Sequence, residues 1–202
     1  MLTGLAAAVI AYLVGGIPFG LIIVRLMTGA DVRAGGSGNI GATNVLRTTG
    51  RVAGVLTLLL DVGKGFFCVW LASVMTGGSE VWMSVAALAV MLGHAFPVWL
   101  RFRGGKAVAT CAGACLFLAP LPLLAIAILF VLLIWSTGYL SLGSIVAAGL
   151  LPIACFVILH PEWPVLAAAL GAGLLVVWRH KDNIARIRGG TENIFRFKRT
   201  VQ

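Results

Sequence analysis

Charge is what this sequence has least of. Of its 202 residues, 10% are charged and 60% hydrophobic, and only six are Asp or Glu. About a quarter of a soluble domain is charged, so a water-soluble globular fold is excluded and an integral membrane protein is indicated. The few carboxylates are scattered and form no recognisable divalent-cation site, so no metal and no cofactor is expected. Cysteine is scarce too: Cys68, Cys111, Cys115 and Cys155 all lie inside apolar runs. No His, Cys or carboxylate joins them at a metal-like spacing, so they read as buried, reduced thiols. A cleavage site is also missing. The first apolar run is not followed by the small-residue pattern of a signal peptide and is expected to be retained as a span. No internal repeat is evident.

What is present is a series of long apolar runs broken by polar segments. Residues 5–26, 52–75, 81–100, 108–119, 123–136, 142–159 and 165–178 read as membrane helices. The first is expected to bend at Gly15-Gly16 and Pro18. The fourth, about 18 Å long at 1.5 Å per residue, is short and ends at Pro120-Leu121-Pro122. Basic residues set the parity. Arg25, Arg33, Arg47 and Arg51 flank the first polar loop, and Arg101, Arg103 and Lys106 occupy the next. A third basic segment runs from Arg179 through Lys181, Arg186 and Arg188 to Arg196, Lys198 and Arg199. Residues 76–80 and 160–164 contain no Lys or Arg. The positive-inside rule puts the three basic segments on the cytoplasmic side. The expectation is an all-α polytopic bundle of seven spans, N-terminus outside and C-terminus inside. It forms a single domain over residues 1–202, with a basic cytoplasmic tail from about residue 179. The net charge of +9 is accounted for by this membrane-surface asymmetry and calls for no nucleic acid.

Three polar stretches stand out. Gly35-Gly36-Ser37-Gly38-Asn39-Ile40-Gly41-Ala42-Thr43-Asn44-Val45-Leu46-Arg47 has small residues that let backbone approach a ligand. Its amides, hydroxyl and guanidinium suit an anion, although a flexible turn has a similar composition. In the second, Gly93-His94-Ala95-Phe96-Pro97 leads to Arg101-Phe102-Arg103-Gly104-Gly105-Lys106. Gly-Gly-Lys before a helix can offer backbone amides, a helix N-terminus and an ammonium to one anion. It is no Walker A loop, because the leading glycine and the Ser/Thr after lysine are absent. A basic loop reaching lipid headgroups is the alternative. In the third, His180, Asn183 and Ile184 would share a side if the last helix continued, whereas Arg196, Lys198 and Arg199 suit a lipid-contacting tail. Asp61 and Lys64, three residues apart within the second run, are expected to pair and face the interior.

Together these stretches resemble the bacterial PlsY-type acyl-phosphate:glycerol-3-phosphate acyltransferases. The resemblance rests on residues 37–47, on Gly93-His94-Ala95-Phe96-Pro97 with Gly104-Gly105-Lys106-Ala107-Val108-Ala109-Thr110, and on Arg179-His180 through Asn183-Ile184 to Glu192. Asp61 to Gly65 and Tyr139 to Ser144, with Ser141, also look like that family. The resemblance implies an inner-membrane enzyme whose active site faces the cytoplasm. Its substrates would be a long-chain acyl phosphate and glycerol 3-phosphate, with membrane lipid around it and no obligate protein partner. It would make 1-acyl-glycerol 3-phosphate, the first committed phospholipid intermediate. Two departures stand out: Ala107 where the family usually has glycine, and Asn193-Ile194-Phe195 where a lysine often follows the glutamate.

On that resemblance Ser37, Asn39, Asn44, Arg47 and Lys106 are expected to hold glycerol 3-phosphate. The Gly104 and Gly105 amides with Lys106 would meet the acyl phosphate. His180, Asn183 and Ser37 would serve catalysis, with His180 a candidate proton acceptor. His94, Asp61, Lys64, Ser141 and Glu192 would be structural. None of His94, His160 and His180 has an aspartate four intervening residues on, so the usual acyltransferase base is missing and a substrate phosphate oxygen is the other acceptor. Two other classes compete. A carrier would place polar breaks near the midplane, often in repeated halves, and a non-catalytic scaffold would leave the convergence of polar residues unexplained.

Overall fold

The structure, a computed structural model, describes residues 1–195. Arg196, Lys198 and Arg199 of the expected basic tail lie outside the described residues. Among the described residues ten α-helices follow one another: α1 (Leu2–Gly15), α2 (Phe19–Thr28), α3 (Ala42–Thr48), α4 (Arg51–Thr76), α5 (Glu80–Ala95), α6 (Val108–Leu118), α7 (Pro120–Thr137), α8 (Leu140–Leu159), α9 (Trp163–Arg179) and α10 (Lys181–Arg188). No strand occurs among the described residues.

The breaks follow from local chemistry. Proline has no amide proton to continue a helix, so the chain leaves α1 at Gly15 and resumes as α2 one residue after Pro18. The two helices together make the expected broken first span. Pro120 and Pro122 do not interrupt a helix but start one. At the first helical positions the missing amide costs nothing, so α7 begins on Pro120, a single residue after α6 ends.

Among the described residues five segments are long and apolar enough to cross a membrane: Leu2–Thr28, Arg51–Thr76, Glu80–Leu100, Pro120–Thr137 and Leu140–Leu159. Helices α9 and α10, bent by 55° at their junction, make a sixth if taken together. The seven spans expected from the sequence exceed this number because α6 has only 11 residues. At 1.5 Å per residue it is about 16 Å long, half of a ~30 Å hydrocarbon layer.

Helix α4 is the hub, packing against α6, α5 and α1. Lipid tails are as apolar as leucine, so helices associate here by close backbone approach rather than by expelling water. Small residues make this possible. A Cβ on Gly65 would fall 2.2 Å from the Thr110 carbonyl oxygen, and one on Gly113 would fall 1.9 Å from that of Val62. The α1–α5 seam has the same build: Cβ atoms on Gly15 and Gly93 would meet the carbonyl oxygens of Val90 and Tyr12 at 2.1 and 2.0 Å. The core between them is largely Ala, Cys and Val. Helix α7 contrasts with this: it buries only Pro122, Ile126 and Ile134, and packs mainly on α8. Its outer face of Leu121, Leu124, Ile128, Val131 and Trp135 is left to lipid.

The α4–α6 seam yields a direct test. Gly113→Ala forces a methyl group into the Val62 carbonyl, and overpacking of this kind costs about 1–3 kcal/mol. Thermal unfolding in detergent is expected to show a lowered midpoint for this variant. The same substitution at Gly63, mid-helix with nothing within 4 Å of a Cβ, is expected to keep or raise the midpoint, because alanine is the better helix former.

Candidate active site

Four connections meet at one end of the bundle: residues 29–50, residues 96–107, the turn at 138–139, and the segment from His180 to Phe195. They close around a cavity of about 560 Å³. The connections at 77–79 and 160–162 contribute nothing to it. Of the expected site residues, Ser37, Asn39, Asn44, Arg47, Lys106, His180, Asn183, Glu192, Ser141, Asp61 and His94 reach the cavity wall. Gly104, Gly105 and Lys64 do not.

The first loop is built on Asn44, which is 2% exposed. Its Oδ1 accepts from the Ser37 amide at 2.8 Å, and its Nδ2 donates to the carbonyls of Val32, Gly35 and Asn39 at 3.1, 3.2 and 2.8 Å. A buried side-chain amide that satisfies four backbone groups holds the loop, and has little left for a ligand. Gly36 passes directly over it with φ +58, where a Cβ would lie 2.2 Å from Asn44 Oδ1. Only glycine fits there. Asn39 Oδ1 accepts from the Gly41 amide at 2.8 Å, a local turn that leaves its NH₂ uncommitted. The Ser37 hydroxyl and the exposed Arg47 guanidinium have no partner among the described residues and line the cavity.

The second loop departs from the sequence reading. The Gly104 amide donates to the Ala95 carbonyl at 3.1 Å and the Gly105 amide to the His94 carbonyl at 3.0 Å. Both donors are therefore consumed by the end of α5 and cannot meet a phosphate. The glycines serve close approach instead: Cβ atoms would fall 2.1 Å from the His94 carbonyl oxygen and 2.1 Å from His94 Nε2. The anion-binding groups lie one step further along. Lys106, Ala107, Val108 and Ala109 all line the cavity, and the first helical hydrogen bond of α6 is Cys111 to Ala107. The amides before Cys111 in the first turn are open donors beside an ammonium. Ala107 precedes α6 with φ +59, outside the first turn and in the left-handed region that disfavours a Cβ.

The third stretch bends at His180 rather than continuing as one helix, yet His180 and Asn183 still reach the same cavity. His180 Nδ1 lies 2.7 Å from the Val176 carbonyl. A carbonyl only accepts, so Nδ1 carries the proton and Nε2 keeps a lone pair. Lys106 Nζ donates to Asn183 Oδ1. Asn183 Nδ2 donates to Glu192 Oε1 at 2.8 Å, which also accepts from Ser141 Oγ at 2.9 Å; Glu192 Oε2 accepts from Arg186 Nε at 2.8 Å. Burial pushes the Glu192 carboxyl up, but the donors Asn183, Arg186 and Ser141 outweigh it and hold it below the usual range. Desolvation and the nearby Arg186 cation bring Lys106 down to about 8. Beneath the cavity Lys64 Nζ lies 2.8 Å from Asp61 Oδ1 and donates at 3.0 Å to the Ile17 carbonyl at the α1–α2 break, which also accepts from the Phe19 amide at 3.1 Å. His94 Nδ1 is 3.6 Å from the same Asp61 oxygen. The pair faces the interior, as expected.

Sequence reasoning missed the place of Arg186 and of the segment from Asn193 to Phe195. The sequence reading puts Arg186 in a basic tail and gives Asn193 and Phe195 no role, whereas all three line the cavity. The i, i+6 spacing of Arg186 and Glu192 was the available signal. The cavity is two-ended: cations and open donors at its mouth, and an apolar flank of Leu58, Val62, Leu123, Ile126, Phe130 and Leu151 from α4, α7 and α8. That combination suits a molecule with a phosphate head and a hydrocarbon tail.

A family model described as glycerol-3-phosphate acyltransferase matches residues 5–190. A glycerol-3-phosphate acyltransferase of Desulfovibrio desulfuricans is 48% identical over 183 residues, covering 91% of this chain and 81% of the relative. One from Geobacter sulfurreducens is 44% identical over 97% of this chain and the whole of the relative. Among solved structures, PlsY, an integral membrane glycerol 3-phosphate acyltransferase, aligns in its glycerol 3-phosphate form with a TM-score of 0.90 at 38% identity, covering 96% of each chain. Its lysophosphatidic acid form aligns with a TM-score of 0.88 at 36% identity, covering 96% of this chain and 95% of that one.

The left-handed Ala107 makes a testable local point. Ala107→Gly removes a cost of roughly 1–2 kcal/mol in the native turn, partly offset by roughly 0.4–1 kcal/mol of extra freedom in the unfolded chain. Thermal unfolding in detergent is expected to rise slightly for this variant. A fall would show that the Ala107 methyl packs well enough to outweigh its backbone strain.

Proposed function

The chain belongs to the glycerol-3-phosphate acyltransferase family, and from that premise we propose that it takes its acyl group from a long-chain acyl phosphate. The acceptor is the 1-hydroxyl of glycerol 3-phosphate. The products are 1-acyl-glycerol 3-phosphate and phosphate, the first committed step of bacterial phospholipid synthesis. The observation that carries this reading is the two-ended cavity, with Arg47, Lys106, Arg186 and the open amides of α6 beside an apolar flank.

Arg47, the Ser37 hydroxyl and the Asn39 NH₂ hold the phosphate of glycerol 3-phosphate. Asn44 shapes that loop from beneath, a positioning role rather than a phosphate contact. The acyl phosphate takes Lys106 and the first turn of α6, in place of the Gly104 and Gly105 amides. Its chain runs along α4, α7 and α8. The hydroxyl oxygen attacks the acyl carbon, and the carbon–oxygen bond to phosphate breaks with its electron pair going to phosphate. Phosphate leaving that way carries one more negative charge than it can readily bear, so it is the natural destination of the hydroxyl proton. His180 Nε2, with its lone pair, accepts the hydroxyl's hydrogen bond and aligns the attack. Lys106 is held ready by Asn183, whose amide is oriented in turn by Glu192.

Membrane placement follows the same reading. Three of the four connections that form the cavity carry the basic segments and the turn at 138–139 lies at the same end, so α4 with α5, α6 with α7, and α8 with α9 each leave and return. With the first span this gives seven crossings, the N-terminus outside and the active site at the cytoplasmic face of the inner membrane. The short α6 begins at the cavity, recessed and sheltered by protein, where non-helical backbone is tolerated.

The test is phosphate release by purified protein supplied with palmitoyl phosphate, with and without glycerol 3-phosphate. Acceptor-dependent phosphate, matched by lysophosphatidic acid, is expected; product from acyl-CoA but not acyl phosphate would overturn the donor. The pH profile carries a second expectation. Lys106 is an ammonium below about 8 and loses its charge above it, so kcat/KM is expected to fall as pH rises through that value. In Lys106→Arg, whose guanidinium stays charged, whatever activity is left is expected to lack this limb.

A further inference from the structure

We infer that Arg179 is a positioning residue for the acyl-transfer site, clamping the Gly104-Gly105 segment so that Lys106 and the N-terminus of α6 face His180. This rests on the reading of the site given above, in which Lys106 and α6 meet the acyl phosphate.

Arg179 ends α9 and does not line the cavity. Its Nε donates to the Gly105 carbonyl at 3.0 Å and its Nη2 to the Gly104 carbonyl at 2.8 Å. The same two glycines donate their amides to Ala95 and His94. The segment is therefore held on both edges, by α5 through its donors and by Arg179 through its acceptors. All four of its backbone groups are consumed. Such a segment cannot bind phosphate itself, but it sets the exit direction of the next residue, Lys106.

The guanidinium is itself fixed. It lies 5.3 Å from the Phe96 ring centroid and 5.8 Å from that of Trp178, and the two rings are 5.8 Å apart. A flat, forked donor resting on aromatic faces can meet two successive carbonyls at once. The ammonium of lysine has donors but neither the flat fork nor the stacking surface that fix this geometry. One residue on, the chain turns by 55° and His180 enters the cavity wall. The clamp thus ties the second polar stretch to the third immediately beside the imidazole.

A displacement of about 1 Å between reacting groups can cost a hundredfold in rate while ground-state binding changes little. Glycerol 3-phosphate is held from the first loop, which Arg179 does not touch. Loss of the clamp should therefore fall on kcat.

The experiment compares wild-type protein with Arg179→Lys by steady-state kinetics, thermal unfolding and amide hydrogen exchange. Expected for the variant are a kcat lower by about 10- to 100-fold and a KM for glycerol 3-phosphate within about twofold. Faster exchange should be confined to the peptide spanning residues 101–110. Unchanged kcat, or unchanged exchange in that peptide, overturns the proposal. So does a rise in KM with kcat intact. Should Arg179→Lys fail to fold, Phe96→Leu removes the ring beneath the guanidinium and must accelerate exchange in the same peptide. The exchange result does not depend on the reaction, so failure of the wild-type protein to acylate glycerol 3-phosphate would count against the donor and acceptor alone.

Discussion

One carboxylate organises the polar end of this molecule. Glu192 receives Ser141 from the start of α8, and Asn183 and Arg186 from α10. Through Asn183 it also orients Lys106, which stands before α6. A carboxylate drawn into a partly buried site is costly unless its oxygens are satisfied. Here three donors from two segments meet that need, and the charge stays ionised. Without it, Asn183 would have no fixed amide orientation, and the ammonium of Lys106 would face Arg186 without an intervening anion. The segment that carries Glu192 continues to Phe195, whose amide donates to the Gly138 carbonyl at 2.7 Å, so the same anchor closes the cavity against the α7–α8 turn.

The remainder of the bundle works by a different rule. Away from the cavity, helices meet through glycine and alanine at backbone distance, and the larger apolar side chains face outward. This is the arrangement expected where lipid removes the hydrophobic incentive to bury leucine. Packing is tightest along the α1–α5 and α4–α6 seams and loosest around α7. The apolar flank of the cavity opens toward that loosely held helix, which suits a substrate whose hydrocarbon tail arrives from the bilayer. The Asp61–Lys64 pair couples the two regimes, since Lys64 also donates to the Ile17 carbonyl where the first span breaks.

In the proposed reaction the donor already carries phosphate as a leaving group, so acyl transfer asks little of the protein. Positioning and charge neutralisation are what the site must supply. The arrangement of Arg47 on one loop, Lys106 with α6 on a second and His180 on a third matches that requirement. Each is set by an uncharged or consumed partner: Asn44 under the first loop, the Gly104-Gly105 segment before the second, the Val176 carbonyl behind the imidazole.

Much of this was legible without coordinates. Composition and apolar runs determine a helical membrane protein. The bend at Gly15 to Pro18 and the inward-facing Asp61–Lys64 pair follow from local chemistry. The gathering of three polar stretches was legible from the distribution of Arg and Lys. The sequence did not reveal which atoms of those stretches remain open. A Gly-Gly pair announces that something comes close, but not whether it is a phosphate or the end of α5, because both need the same missing Cβ. A polar asparagine in a loop looks the same whether it faces a ligand, as Asn39 can, or lies beneath the backbone, as Asn44 does. The role of Arg179, the place of Arg186 in the wall and the left-handed turn at Ala107 depend on residues distant in sequence, which only tertiary packing brings within hydrogen-bond reach. Residue type and periodicity determined what the chain is made to sit in. The tertiary structure decided which donors are already used, because a hydrogen bond is settled by distance and angle between segments that sequence order keeps apart.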